Sequence, residues 1–360
     1  YNAYNKEINA FQKMLDKTAK GKGESDDFTF KSFDLHVKNI ENIAVIRSNT
    51  GPVAKDDFIY ITEGRRSTVS VLNNDIDLDH LDELSIADFD SSRTRGLIAN
   101  NPNGSFGYKT NSQFDYLASG EIGQDTFTYT VRDLAGETSE AEVFITIKGA
   151  DDLLVIDNDN SDLTGSITEE TSTSIQQFII DSGKIYFSDV DLTDTHTILS
   201  ITPAAKTLGS LIAEISADTY RTGVGGEISW GYSVAPEDIE YLAKRETKIE
   251  SFTLEIADGN GVIVEQEVNI TVIGTNDAPT IEASSPGSLN ELVSYPIGTI
   301  DTSGSFSFTD VDLSDTHNIS LIKPAKTTLG ALTANVTTDT TGSGLGGVVE
   351  WQYTVNASDV

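Results

Sequence analysis

The sequence predicts an all-β chain of tandem β-sandwich domains behind a short N-terminal helix. Three observations carry this expectation. One block of 53 residues is written twice, strand-length segments alternate apolar and polar residues around glycine-bearing turns, and helical periodicity is confined to the first twenty residues.

The elements follow in chain order. Ile8, Phe11 and Leu15 stand at i, i+3 and i+7 and make one apolar stripe, with Gly21 and Gly23 as a stop signal, so one helix is expected in a tail spanning residues 1–41. That tail reads as the end of a preceding domain. Residues 42–150 form the first sandwich of the string. Its closing hairpin is marked by Phe127, Tyr129 and Val131, then Val143, Ile145 and Ile147, which alternate as half-buried strands do. At an offset of 125 the same hairpin recurs, with Phe252, Asp258 and Gly261 in the places of Phe127, Asp133 and Gly136, and closes a second sandwich over 151–276. The duplicated block aligns 187–239 with 308–360 at a constant offset of 121 without a gap, and 26 of its 53 positions are identical. A period this long marks a whole domain and not a solenoid unit. Residues 277–360 are therefore a third sandwich, truncated before its last hairpin, and a sandwich lacking two strands is not expected to be stable alone.

Composition narrows the function. Fifty-seven acidic against twenty-four basic residues leave a formal charge of −33, which a phosphate backbone or an anionic membrane face would repel, so nucleic acid is not an expected partner. No apolar run reaches the roughly 18 residues that insertion into a membrane requires. With no cysteine, disulfides, thiolate metal sites and cysteine nucleophiles are all absent.

The acidic residues are patterned. Each unit carries an acid or amide pair in its linker (Asp56 and Asp57, Asp151 and Asp152, Asn276 and Asp277) and a glutamate expected at a strand start (Glu63, Glu169, Glu291). Each also carries a D-x-D turn (Asp75, Asp77 and Asp79; Asp189 and Asp191 with Asp194; Asp310 and Asp312 with Asp315), and Asp133 and Asp258 mark the hairpin turns. On irregular backbone two such carboxylates can converge on one point, whereas in a regular strand they would share a face about 7 Å apart. A hard divalent cation answers both the geometry and the charge. Calcium takes about six to eight oxygens without strict angles, while nothing here offers the thiolates or paired histidines that zinc prefers. Set at domain ends, these residues would meet where neighbouring repeats of the same polypeptide touch.

FTDVDLSDTH, the strand WQYTV, the turn ADGNG and the linker GTNDAP resemble the VCBS-type repeats of large RTX-type bacterial surface adhesins. Residues 53–149, with VAKDDFIYITEG, VLNNDIDLD and DTFTYTVRD, resemble the related bacterial cadherin-like tandem repeat. The resemblance implies immunoglobulin-like (cadherin-like) sandwiches strung end to end, calcium at their junctions, export by a type I route, and a place on the bacterial cell surface as a spacer or adhesive arm.

Catalysis is not expected. The nucleophile-elbow, zinc-protease, P-loop and dinucleotide fingerprints are all missing. His196 and His317 recur in matching DTH triplets, as structural hydrogen-bonding residues do, and Trp230 and Trp351 recur on an alternating strand as core anchors. The expected role is a structural segment of an extracellular adhesin or biofilm surface filament, stiffened by calcium. The alternatives are a module binding host or biofilm surface ligands, either carbohydrate or protein, and a homopolymer subunit whose open last domain accepts a strand, such as FTFKSFDLHV at 28–37, from another copy.

Overall fold

The computed structural model describes residues 2–19, 28–31, 35–37, 49–79, 83–169, 178–282, 284, 286–290 and 298–360. Among them the predicted helix forms as α1 (Asn2–Ala19), with Ile8 and Phe11 buried on one face. The glycine stop signal lies outside the described residues. β1 (Phe28–Phe30) and β2 (Leu35–Val37) pair antiparallel as a small ribbon.

The first sandwich has two sheets. β3 (Asp57–Thr62), β9 (Thr138–Lys148), β8 (Ile122–Arg132) and β5 (Ser85–Asp90) lie side by side in that order. Opposite them stand β4 (Arg66–Val69), β7 (Phe106–Lys109) and β6 (Leu97–Asn100). Period-2 alternation places Phe127, Tyr129, Val131, Val143, Ile145 and Ile147 in one core with Phe106 and Tyr108. β3 runs parallel to β9, with Asp57 opposite Val143 and Thr62 opposite Lys148.

The second sandwich repeats this plan with four strands on each side. β10 (Val155–Ile156), β12 (Ile179–Ser188), β15 (Gly226–Val234) and β14 (Ser210–Ala217) form one sheet. β11 (Thr164–Thr168), β17 (Ile263–Ile273), β16 (Thr247–Ala257) and β13 (Thr197–Pro203) form the other, with β11 again parallel to β17. Trp230 and Tyr232 from one sheet pack with Phe252, Leu254, Val268 and Ile270 from the other.

Residues 280–356 contribute a single sheet, β18 (Thr280–Ile281), β19 (Thr299–Thr309), β21 (Gly347–Asn356) and β20 (Ala331–Thr338). It reproduces the β10, β12, β15, β14 sheet strand for strand. A facing sheet for it is not present among the described residues.

A shared buried motif ties the two complete sandwiches together. In the first, the Asp125 carboxylate accepts hydrogen bonds from Tyr108 Oη (2.7 Å) and from the Arg95 and Gly96 N–H groups. In the second, Glu250 accepts from Tyr232 Oη (2.7 Å) and from the Leu208 and Gly209 N–H groups. At the exit of each sandwich the chain passes hard against a turn. A Cβ on Gly149 would lie 2.3 Å from the Ala118 carbonyl oxygen, and one on Gly274 would lie 2.1 Å from that of Leu242, so only glycine fits either exit.

Candidate metal centres at the junctions

Glu63 and Glu169 stand just past the ends of β3 and β11, not at strand starts as the sequence suggested, because parallel pairing with β9 and β17 carries each to the linker. The Glu63 N–H donates to the Lys148 carbonyl (3.0 Å), so β3 ends where β9 ends, and the Glu63 Oε1 accepts the Ala150 N–H at 2.5 Å. Across the linker, the Asp152 N–H donates to Asp191 Oδ2 (2.8 Å), and the Asp191 N–H donates to Asp189 Oδ1 (3.0 Å). A direct contact joins the two sandwiches beside these acids, where the Leu192 N–H donates to the Tyr116 carbonyl (3.3 Å). From the hairpin turn, Asp258 Oδ1 accepts the Asn260 N–H while Asn260 Nδ2 donates to Asp194 Oδ2 (2.7 Å).

Several of the junction carboxylates keep an oxygen free. Glu63 Oε2, Asp151 Oδ1, Asp191 Oδ1 and Asp258 Oδ2 are buried without a hydrogen-bond partner. Glu63, Asp152 and Asp191 each offer an oxygen within 4.8 Å of the others, and so do Asp151, Asp191 and Asp194. Asp191 belongs to both groups. An orphaned buried acceptor costs about 1–3 kcal/mol, more if charged, so several gathered at one place call for a cation.

The electrostatics agree. Burial pushes the carboxyls of Glu63 and Asp191 up to about 7, reinforced by neighbouring acids, Asp152 for Glu63 and Asp194 for Asp191. Burial also raises Asp151, Asp152 and Asp194, with further contributions from Asp258, Asp115 and Asp189 respectively. Among the described residues no lysine or arginine forms an ion pair with any of them. An all-oxygen donor set, crowded, buried and without a basic partner, fits a hard divalent cation.

The second junction is built the same way from the next repeat. The Glu169 N–H donates to the Ile273 carbonyl (2.9 Å) and its Oε2 accepts the Thr275 N–H (2.8 Å). The Asp277 N–H donates to Asp312 Oδ2 (2.9 Å), the Asp312 N–H to Asp310 Oδ1 (3.0 Å), and the Leu313 N–H crosses to the Tyr241 carbonyl (3.2 Å). Glu169 Oε1 and Asp312 Oδ1 are left buried and unpartnered, as their counterparts are. Burial raises the carboxyls of Glu169, Asp277 and Asp312. Asn276 stays exposed, with its amide turned onto the Asp277 carbonyl.

At the N-terminal end of the first sandwich the remaining candidates are more dispersed. Asp75 Oδ1 accepts the Lys55 N–H (2.8 Å) and the Tyr129 hydroxyl (3.0 Å), so much of its capacity is spent on the fold. Asp77 Oδ1 caps the Asp79 N–H, and Asp79 Oδ2 accepts the Thr50 N–H, both at 2.7 Å. The Asp133 carboxylate holds Asn49 Nδ2 (2.7 Å) and its own turn, and the hydrogen bond from Asn49 lowers its pKa. Asp56 is exposed and accepts the Glu142 N–H (2.9 Å). Asp57 Oδ2, Asn74 Oδ1 and Asp77 Oδ2 are buried and unpartnered, and burial pushes Asp57 up to about 6. Glu291 lies outside the described residues.

Asp194, read with the D-x-D turn, completes the first junction together with Asn260. What escaped the sequence pattern is Asp218, whose role no local spacing announces. His196 Nδ1 lies 2.7 Å from Asp218 Oδ1 and its Nε2 lies 3.1 Å from Asp189 Oδ2, so the ring braces Asp189 from behind. His317 repeats this with Asp339 (2.8 Å) and Asp310 (2.7 Å).

Residues 49–149 match the family model of the bacterial cadherin-like domain. No curated protein matches the chain. Among solved structures, the chain is similar to protocadherin gamma B2 extracellular cadherin domains 1–5, at 14% identity over 84% of this chain and 53% of that one, with a TM-score of 0.40. It is also similar to human CDH23 EC21-23, at 16% identity over 83% of this chain and 88% of that one, TM-score 0.35. A third likeness is to a protein of unknown function from Porphyromonas gingivalis W83, at 7% identity over 60% of this chain and 94% of that one, TM-score 0.22. The chain thus spans about half the length of the protocadherin fragment it matches, 53%.

Proposed function

We propose that the chain is a spacer and adhesion segment of a large extracellular bacterial surface protein of the RTX adhesin type, in which calcium stiffens the junctions between cadherin-like and VCBS-type sandwiches. The units are residues 42–150, 151–276 and 277–360, following a tail at 1–41. The observation that carries this reading is the recurrence, at two successive junctions, of buried carboxylate oxygens without partners on matching residues: Glu63 and Asp191, then Glu169 and Asp312.

At the first junction Glu63 from one sandwich, Asp151 and Asp152 from the linker, and Asp189, Asp191, Asp194 and Asp258 from the next would hold calcium. At the second, Glu169, Asn276, Asp277, Asp310 and Asp312 would do so. Asp56, Asp57, Asp75, Asp77, Asp79 and Asp133 would serve a junction with whatever precedes residue 49. Calcium supplies positive charge that offsets the repulsion among these groups. The protein's part is to fix the ligands on both sides of each linker, so that the linker stops swinging. Extracellular modules bind calcium at roughly 10⁻⁴ to 10⁻³ M, which suits a calcium-rich medium and leaves the arm loose in a cell interior. The test is small-angle scattering and thermal unfolding with calcium and then with chelator. A longer maximum dimension and a higher midpoint in calcium are expected, and identical profiles in both conditions would sink the proposal.

A second reading has its own observation. The β18–β21 sheet presents a half-open apolar face, with Leu332 42% exposed, as a strand acceptor in a homopolymer would. Concentration-dependent assembly in size-exclusion chromatography with light scattering would support it, and a monomer at all concentrations would dismiss it.

A further inference from the structure

The outer face of the β3–β9 pair carries an aromatic platform that the fold does not require. Phe58 and Phe144 stand directly opposite in the parallel register and stack at 5.6 Å between centroids with 18° between planes. Tyr60, two residues along the same face, is 77% exposed, and Phe58 is 64% exposed. Buried cores account for the inward neighbours Ile59 and Ile61 but for none of these three. The second sandwich supplies the control. Counting back from the matched glutamates Glu63 and Glu169, the positions of Phe58 and Tyr60 are held there by Thr164 and Ser166, and Phe144 is matched by Asn269.

Two guanidinium groups border the same hollow. Arg93 and Arg95 line it together with the three aromatic residues, and neither forms an ion pair among the described residues. The Arg95 guanidinium lies 4.3 Å over the Phe114 ring and donates to the Gln124 carbonyl (3.3 Å), which fixes its plane. The position equivalent to Arg95, defined by the N–H given to the buried acid, is Leu208 in the second sandwich. In a chain of −33 net charge, two arginines beside a flat exposed aromatic surface are a local exception.

We infer that this face binds a carbohydrate bearing carboxylated sugars, with pyranose rings laid on Phe58, Tyr60 and Phe144 and a uronate carboxylate met by Arg93 and Arg95. The aromatic faces supply apolar area for the axial C–H side of a sugar ring. Guanidinium groups match a carboxylate in a planar, two-pronged fashion that lysine does not. Repulsion from the chain's net charge is screened over about 8 Å at physiological ionic strength, so the contact is short-ranged and weakens as salt rises. This inference goes beyond the spacer role and uses none of the junction residues, so either can fail without the other.

The test is isothermal titration of the full chain, in calcium, with short oligogalacturonate, with its fully methyl-esterified form, and with oligo-glutamate as a carboxylated peptide. Binding to oligogalacturonate alone is expected. Phe58→Ala with Tyr60→Ala should weaken it at least about tenfold, which is the order of one or two lost aromatic contacts. Arg93→Gln should also weaken it and flatten its salt dependence. Because Phe58 and Tyr60 are exposed, an unchanged thermal midpoint will show that the double variant is folded. Absence of oligogalacturonate binding, equal binding of the ester or of oligo-glutamate, or binding indifferent to the aromatic substitutions would overturn the inference.

Discussion

The second sandwich and the β18–β21 sheet are two readings of one repeated block, about half of it identical, in different surroundings. Their loops agree closely. His196 and His317 both sit between two carboxylates, and the Asp191 and Asp312 N–H groups both donate to the aspartate two residues earlier at 3.0 Å. Their apolar residues do not agree. Trp230 is 3% exposed, whereas Trp351 is half-buried, and Leu211 at 7% becomes Leu332 at 42%. Tyr232 donates its hydroxyl to Glu250 on β16, while Tyr353, with no such strand opposite it among the described residues, accepts the Gly330 N–H (2.7 Å). Local polar geometry is thus written within the repeated block itself. Burial is conferred by a hairpin from elsewhere in the chain.

Substitution of the matched tryptophans tests this most severely. Trp230→Ala should destabilise the second sandwich by about 3–5 kcal/mol in urea unfolding, whereas Trp351→Ala should cost far less. Equal losses would mean that the β18–β21 sheet has a core of its own. The histidines should behave more alike. His196→Gln should cost about 1–3 kcal/mol by leaving a buried carboxylate unpartnered, and His317→Gln somewhat less, because its side chain is 15% exposed against 0%. Thermal unfolding of both variants measures the gap.

The two junctions differ next in the oxygens they would offer calcium. The first has Asp258 and Asn260 from its hairpin turn, and no matching turn is present beside Asp312 among the described residues. Calcium titration should therefore resolve a tighter and a weaker class of sites. Asp191→Asn should abolish the tighter and Asp312→Asn the weaker, with a gap of about tenfold or more. A single class removed equally by either substitution would erase the distinction.

The last contrast is that of pH without metal. Glu63 and Asp191 have folded-state values near 7, above their ordinary ones of 4.5 and 3.8. Between those limits the folded chain holds more protons than the unfolded one, so metal-free stability should fall as pH rises from about 5 to 8. Added calcium should reverse that trend, because protons then compete with the ion for the same oxygens. Melting curves at pH 5 and pH 8, with calcium and with chelator, check both signs.

Sandwich architecture was legible because its signals are local. Alternation such as Phe127, Tyr129, Val131 marks a strand whatever lies opposite, and a gapless repeat announces a domain. The candidate site was legible in kind for a similar reason, since Glu63, Asp152 and Asp191 recur as motif positions. What stayed hidden depends on contacts distant in sequence. Asp218 meets His196 across 22 residues, Asn260 meets Asp194 across 66, and the dispersal of Asp56, Asp75 and Asp79 follows from hydrogen bonds to backbone that no spacing rule describes.

The parallel pairing of an early strand with the last has a mechanical consequence. The first sandwich begins its strands with β3 and leaves at the end of β9, so tension along the string draws these two paired strands in opposite directions along their length; in the second, β10 precedes β11, and the parallel β11–β17 pair is loaded in the same sense. All the ladder bonds between them are then strained together, not peeled one after another. A sandwich assembled in this way resists pulling where a hairpin-terminated one would unzip.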